Sequence, residues 1–308
     1  MEVFPMRLRF RGAEVPFPLS VIKGRLRLSG LPDKQVSDVM QYVVSRLNST
    51  ANPTEEILLN LVRNSLESSN DSIRDNFETL TKYEEMRGEY HEMPSIVLVL
   101  EGASANGKSI IALELVHDLV ATRFISSDTV RQVLRSTLNE EEYPELYCHT
   151  YQAHLHRQTG PEDLDPIVRG YLAQCDIITP QITNMTERIL SEGASGVVEG
   201  VHIIPGALQK LSPGVIEVLI NPKDETHKTM FLNKHNAGKL RTVSEDIETR
   251  EREYEGTRAI QRYMMKLSQD ANLSIVEMNN FDEATIDISR IIVETIGKLV
   301  EEYEGASK

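Results

Sequence analysis

Tryptophan is absent from the 308 residues, and cysteine occurs only twice, at Cys148 and Cys175. Two thiols make no disulfide framework, so an apolar core must hold the fold together. Hydrophobic runs longer than a strand are also missing, which leaves no segment able to cross a membrane as a helix. Basic charge is scarce: 33 Lys and Arg stand against 47 Asp and Glu, a net charge of −14. That balance disfavours nucleic acid or an anionic membrane as the main partner. No charged-then-apolar signal segment opens the chain, so the expected location is cytoplasmic. No internal repeat or low-complexity tract interrupts it.

With 40% apolar residues the chain can bury a proper core, and its length suits one α/β domain with a smaller appendage. Its most informative segment is Gly102-Ala103-Ser104-Ala105-Asn106-Gly107-Lys108-Ser109, a complete G-x-x-x-x-G-K-S phosphate loop. The apolar run Ile96–Leu100 before it reads as a buried parallel strand, and Ile110–Val116 after it as a helix. That context matches the mechanism, in which glycines turn successive N–H groups toward phosphate and the helix N-terminus adds its positive end. Lys108 is expected to reach the β- and γ-phosphates of ATP, and Ser109 to ligate Mg²⁺. The loop alone leaves open whether the phosphate goes to water, to a second molecule, or only switches a conformation.

Three regions are expected. Residues 1–50 read as a small module, with an alternating strand Met6–Arg11 and helical spacing over Gln35–Leu47. Residues 1–30 carry a local charge of +4 against −18 for the rest, so this end could hold an anion or dock on the acidic remainder. Residues 51–93, with ten acidic and four basic side chains, read as a solvated helical connector. Residues 94–308 alternate strands and helices: strand 95–101, helix 108–121, strand 123–126, helix 128–138, a long helix 166–191 kinked at Pro180, strands 196–199 and 215–220, helix 224–235, a polar segment 236–256, helix 257–270, strand 273–277 and helix 282–303. Five strands in that order predict an α/β fold with a parallel sheet covered by helices on both faces.

Several constellations lie where ligands bind in such sheets. Asp128, Arg131 and Arg135 follow the second strand at helical spacings that place them on one face. Asp128 is expected to take the proton of an acceptor hydroxyl while the arginines hold an acidic substrate; an N-cap with two solvated arginines is the bland alternative. Glu199 ends a short apolar strand between Gly196 and Gly200, where a carboxylate can orient Mg²⁺ or contact the acceptor. His202 either contacts substrate or caps the following turn. Arg241, Arg250, Arg252, Arg258 and Arg262 surround the polar segment, where a flap could close over the γ-phosphate and exclude water. The acids interleaved with them offer helix-surface pairing instead. Asn233-Lys234-His235-Asn236 lacks the Asp and the strand context of a guanine-reading motif. Cys148, His149, His154 and His156 do not gather on one helical face as a zinc site would.

Together these segments resemble the archaeal 2-phosphoglycerate kinase family. Val15-Pro16-Phe17-Pro18 is similar to the start of that family's ATP-cone-like N-terminal module. Gly102–Ser109 is similar to its G-A-S-G-x-G-K-S loop, Ser126–Arg135 to S-T-D-x-x-R-x-x-x-R, Glu199–Gly206 to E-G-x-H-x-x-P-G, and Arg258–Tyr263 to R-x-I-Q-x-Y. The resemblance implies a P-loop kinase using ATP and Mg²⁺ on a small phosphorylated hydroxy acid. Lys108, Asp128, Arg131 and Glu199 would be catalytic, Gly102–Ser109 would hold nucleotide, and Asp128, Arg131, Arg135, Tyr151 and His202 would hold the acceptor. Arg241, Arg250, Arg258 and Arg262 would form the lid. The chain departs from the family at Ala105-Asn106, at Ile110, and at His149-Thr150-Tyr151-Gln152-Ala153-His154, where S-S-Y-x-A-W is usual. Those departures lean the expected acceptor toward mevalonate 3-phosphate, giving the 3,5-bisphosphate of an archaeal isoprenoid route, with 2-phosphoglycerate as the alternative. A nucleotide-sensing regulator without an acceptor is the competing class.

Overall fold

The computed structural model describes residues 7–10, 13–238 and 246–306. They fall into two compact units, one comprising 1–93, 117–120 and 289–308, the other 94–116 and 121–288.

In the first unit, strands β1 (Arg7–Phe10) and β2 (Ala13–Pro16) pair antiparallel, Arg7 opposite Pro16. Helices α1 (Ser20–Leu28), α2 (Asp33–Leu47), α3 (Glu55–Leu66) and α4 (Asp71–Glu89) follow. The apolar positions of α2, Val36, Val39, Met40, Val43 and Leu47, recur at helical spacing and form a buried stripe. Leu58, Leu59, Val62 and Leu66 of α3 and Phe77 of α4 enter the same core. The acidic 51–93 stretch thus carries one charged face and one apolar face. Thr54 caps α3 by accepting from the Ile57 N–H, ahead of Glu55 and Glu56 in the first turn. Two of the basic residues near the chain's start have partners within the unit. Arg25 is buried, donates to Thr81 Oγ1 at 3.1 Å and lies over the Phe77 ring; Arg27 pairs with Asp33 and Asp118.

The second unit is built on a five-stranded, wholly parallel sheet: β3 (Val97–Glu101), β4 (Arg123–Ser126), β5 (Gly196–Gly200), β6 (Val215–Pro222) and β7 (Ser274–Met278), in the spatial order β4-β5-β3-β6-β7. Strands β3 and β5 are buried along their whole length, as a sheet covered on both faces requires. Between and after them run α5 (Lys108–Asp118), α6 (Ser127–Arg135), α7 (Pro166–Ser191), α8 (Asp224–Gly238), α9 (Ile247–Asp270) and α10 (Phe281–Ala306). Residues from Ser289 onward in α10 belong to the first unit. The long α7 starts on Pro166 behind an Asp165 cap and contains Pro180. Its Gly170 is required by close approach, because a Cβ there would lie 2.1 Å from the His154 backbone nitrogen in the 3-10 turn Thr150–Leu155.

One expectation fails. The segment read as a polar stretch up to residue 256 is helical from Ile247, because Asp246 caps the Thr249 N–H and starts a 24-residue α9. Among the described residues no helix is long and apolar enough to cross a membrane.

Strand register fixes the ligand-binding edge. Glu199 lies opposite both Leu100 and Ser126, so the end of β5, the start of the phosphate loop and the start of α6 meet at one carboxyl edge of the sheet. The strand order reverses around β3, which is where open α/β sheets take their ligands. A parallel sheet with a phosphate loop after its central strand is the P-loop kinase architecture.

Candidate active site

Gly102, Ala105 and Gly107 all have positive φ, at 143°, 63° and 88°. The two glycines are needed for space as well. A Cβ on Gly102 would collide with the Asn106 amide, and one on Gly107 would lie 2.8 Å from Phe281 Cε1. Ala105 has a Cβ and holds the left-handed conformation at a cost of roughly 1–2 kcal/mol. Asn106 ties the loop down: its fully buried amide donates to the Ile220 carbonyl at 3.0 Å and accepts from the Lys108 N–H at 3.2 Å. Lys108 Nζ, largely buried, lies 3.2 Å from the Ala103 carbonyl across the loop.

Ser109 Oγ donates to Glu199 Oε2 at 3.0 Å. A hydroxyl and a carboxylate, both hard oxygen donors, side by side at the first turn of α5 fit Mg²⁺, which takes few protein ligands and completes its shell with phosphate and water. Among the described residues no three His, Cys, Asp or Glu side chains gather into an all-protein metal site.

On the acceptor side, Asp128 stands in the first turn of α6, its side chain 68% exposed, and pairs with Arg131 at 3.1 Å. Arg131 also donates to the Cys148 carbonyl. Arg135 is turned toward another 3-10 turn, Pro144–Tyr147, donating to the Leu146 carbonyl and lying over the Tyr147 ring, with its pKa lowered first by burial and then by Arg131. Asp128 and Arg131 therefore form the open end of this group, and Arg135 anchors its base. Tyr151 stacks on His149 and meets Phe231 edge-on. Burial, then the neighbouring Glu253, pushes its phenol well above the usual range.

His202 is wholly enclosed. Its Nδ1 is 3.2 Å from Ser127 Oγ, and its Nε2 is 2.9 Å from Gln174 Oε1 and 3.3 Å from Thr150 Oγ1. Burial holds its pKa down to about 3, assisted by Arg131. The ring is a neutral strut linking the 3-10 turn Thr150–Leu155 and α7 to α6 at Ser127, one residue before Asp128.

The lid arginines divide. Arg250 is buried over the Phe231 ring at 4.5 Å and donates to the Phe231 carbonyl. Arg258 is buried among the Pro222 carbonyl, Asp224 and His227. Arg262 is exposed on α9, and Arg241 lies outside the described residues.

Three features were not singled out by sequence. Gln261 accepts from the Ala103 N–H at 2.8 Å and donates to the Ile220 carbonyl at 3.0 Å, bracing the phosphate loop from α9. Its place inside Arg258–Tyr263 was the available signal. His227 contacts the Ser104 carbonyl at 2.8 Å and carried no signal at all. Met230, Met278 and Phe281 supply the apolar atoms that pack beside Gly107.

No protein-family model matches the chain. Curated relatives do. The 2-phosphoglycerate kinase of Methanopyrus kandleri is 28% identical over 290 residues, 92% of this chain and 85% of the relative. The 2-phosphoglycerate kinase of Thermococcus kodakarensis is 25% identical over 206 residues, 67% of this chain and 68% of the relative. Among solved structures, shikimate kinase from Acinetobacter baumannii in complex with shikimate aligns with 68% of this chain and 96% of its own, at 15% identity and a TM-score of 0.40. The chain is an ATP-dependent kinase related to the archaeal 2-phosphoglycerate kinases.

Proposed function

We propose that the enzyme transfers the γ-phosphoryl group of ATP to the primary hydroxyl of a small phosphorylated hydroxy acid. The observation that carries this reading is the meeting of the Ser109–Glu199 pair with the Asp128–Arg131 pair, whose carboxylate is exposed, at one edge of the sheet, set by the register of Ser126 and Leu100 against Glu199. The first pair suits the nucleotide's metal and phosphates, the second an anionic acceptor with a hydroxyl to deprotonate.

In the reaction the acceptor oxygen forms a bond to the γ-phosphorus as the bond to the β-γ bridging oxygen breaks, releasing ADP. Asp128 positions that hydroxyl and receives its proton, and Arg131 holds the acceptor's anionic groups. Lys108 leaves the Ala103 carbonyl for the transferring phosphoryl group, where its charge offsets what develops in the transition state. Mg²⁺, when bound by Ser109 and Glu199, neutralises phosphate charge. Positioning supplies most of the rate.

The relatives' names favour 2-phosphoglycerate as acceptor, giving 2,3-bisphosphoglycerate. A second reading, mevalonate 3-phosphate, rests on the altered segment His149–His154, whose Thr150 touches the same His202 that touches Ser127 beside Asp128. Both molecules carry a carboxylate, a phosphate on an interior carbon and a primary alcohol. ADP release measured with each acceptor in parallel tests the proposal: release dependent on one of them supports it. Nucleotide binding with release stimulated by neither would make the protein a nucleotide sensor instead.

A further inference from the structure

His227, the fourth residue of α8, belongs to neither the phosphate loop nor the acceptor group, yet its ring is wholly buried against the loop. Nε2 lies 2.8 Å from the Ser104 carbonyl oxygen. A carbonyl only accepts, so Nε2 carries the hydrogen. On the other side, Nδ1 lies 3.4 Å from Arg258 Nη1. A guanidinium only donates, so Nδ1 presents its lone pair. Two independent neighbours thus demand the same tautomer.

Arg258 is itself fixed, donating to the Pro222 carbonyl at 3.2 Å and pairing with Asp224. The Tyr254 ring meets the imidazole edge-on at 5.6 Å, and its hydroxyl donates to the Asp224 carbonyl. One turn further along α9, Gln261 takes the Ala103 N–H. Helix α9 therefore holds two peptide groups of the phosphate loop, Gly102–Ala103 directly through Gln261 and Ser104–Ala105 through His227.

We infer that His227 is a positioning residue for nucleotide binding: its Nε2–H draws the Ser104 carbonyl away from the cradle and ties α8 and α9 to the phosphate loop. The carbonyl belongs to the residue before Ala105, whose left-handed backbone turns the loop. Fixing that carbonyl outward fixes the following N–H groups inward, where phosphate oxygens are received. Burial first, with the charges of Arg258 and Lys108 adding to it, lowers the ring's pKa to about 4 against the opposing Ser104 hydrogen bond and Asp224, so the single-proton form persists at neutral pH.

The inference rests on the kinase reading, but its test needs no acceptor. Calorimetric titration of the full chain with ADP in the presence of Mg²⁺ compares the native protein with His227→Leu, which fills the space without a donor, and His227→Gln, whose amide N–H can restore the bond. The expected result is a loss of ADP affinity of about tenfold or more in the leucine variant and recovery of most of it in the glutamine variant. With an active acceptor, KM for ATP should rise in parallel while KM for the acceptor stays within about twofold. Unchanged ADP affinity in the leucine variant, or a glutamine variant no better than leucine, overturns the inference. Should the leucine variant fail to fold, ¹⁵N spectra of labelled histidine in the native protein decide: an Nε2–H tautomer at His227 at neutral pH supports the tether, and an Nδ1–H or doubly protonated ring refutes it. Failure of either proposed acceptor leaves this result standing, and loss of the tether leaves the phosphoryl transfer standing.

Discussion

At the scale of single residues, the phosphate loop combines strain and charge in eight positions. Lys108 Nζ contacts the Ala103 carbonyl from a mostly buried position in the loop. Lys108→Ala should reduce turnover by about 10²–10³-fold with a melting temperature near that of the native protein; steady-state rates alongside calorimetry check both halves. Ala105 has the opposite character, at φ 63°. Replacing it with glycine relieves the left-handed strain at the cost of a more flexible unfolded chain, and the expected net gain is up to about 1 kcal/mol in denaturant unfolding. The placement of the loop between β3 and α5, and of Glu199 near the end of β5, was legible in the sequence because local strand-loop-helix and apolar-run patterns mark both. His227 was not, because its function depends on a carbonyl 123 positions away in the chain. No periodicity or motif encodes that approach.

At the scale of elements, the sheet does the assembling. Strand β4 ends at Ser126, and α6 begins immediately with Ser127 and Asp128. Pairing of β4 with β5 then brings Asp128 to the edge where Glu199 stands. Asp128→Asn keeps the size and shape of the side chain but cannot take a proton, so kcat should fall by about 10²–10⁴-fold with KM for ATP little changed. An unchanged kcat would reduce Asp128 to a helix-start residue. Strand β4 and helix α7 occupy the spans their sequences predict, 123–126 and 166–191, since apolar patterning and an Asp165–Pro166 start signal mark them locally. Helix α9 was read too short at its start because Arg250, Arg252, Glu251 and Glu253 look like a polar flap. In the folded chain Arg250 and Arg258 are buried against Phe231, Pro222 and His227, which no charge count reveals.

At the scale of the whole molecule, buried ionisable groups set opposing pH limits. His202 and His227 have pKa values lowered to about 3 and about 4 from 6.5, mainly by burial. Their contribution to stability is present above the unfolded value and is lost as pH falls from there through the folded ones. Glu101 runs the other way. Fully buried beside Glu217, which accepts N–H groups from Gly206, Leu208 and Gln209, it is raised well above 4.5 by burial and then by Glu217's charge. Stability from Glu101 is therefore full below 4.5 and declines as pH rises through its raised value, at up to about 1.4 kcal/mol per pH unit. Melting curves across pH should show both arms, and Glu101→Gln should flatten the alkaline arm while leaving the acid arm in place.

Phosphoryl transfer to a phosphorylated hydroxy acid is read directly by phosphorus NMR of the reaction. Protein, Mg²⁺ and ATP incubated with 2-phosphoglycerate or mevalonate 3-phosphate should yield ADP and, with one of the two, a new phosphomonoester on the primary carbon of the acceptor. ATP that stays intact with both acceptors, or breaks down only to ADP and inorganic phosphate, would rule out transfer to either of them.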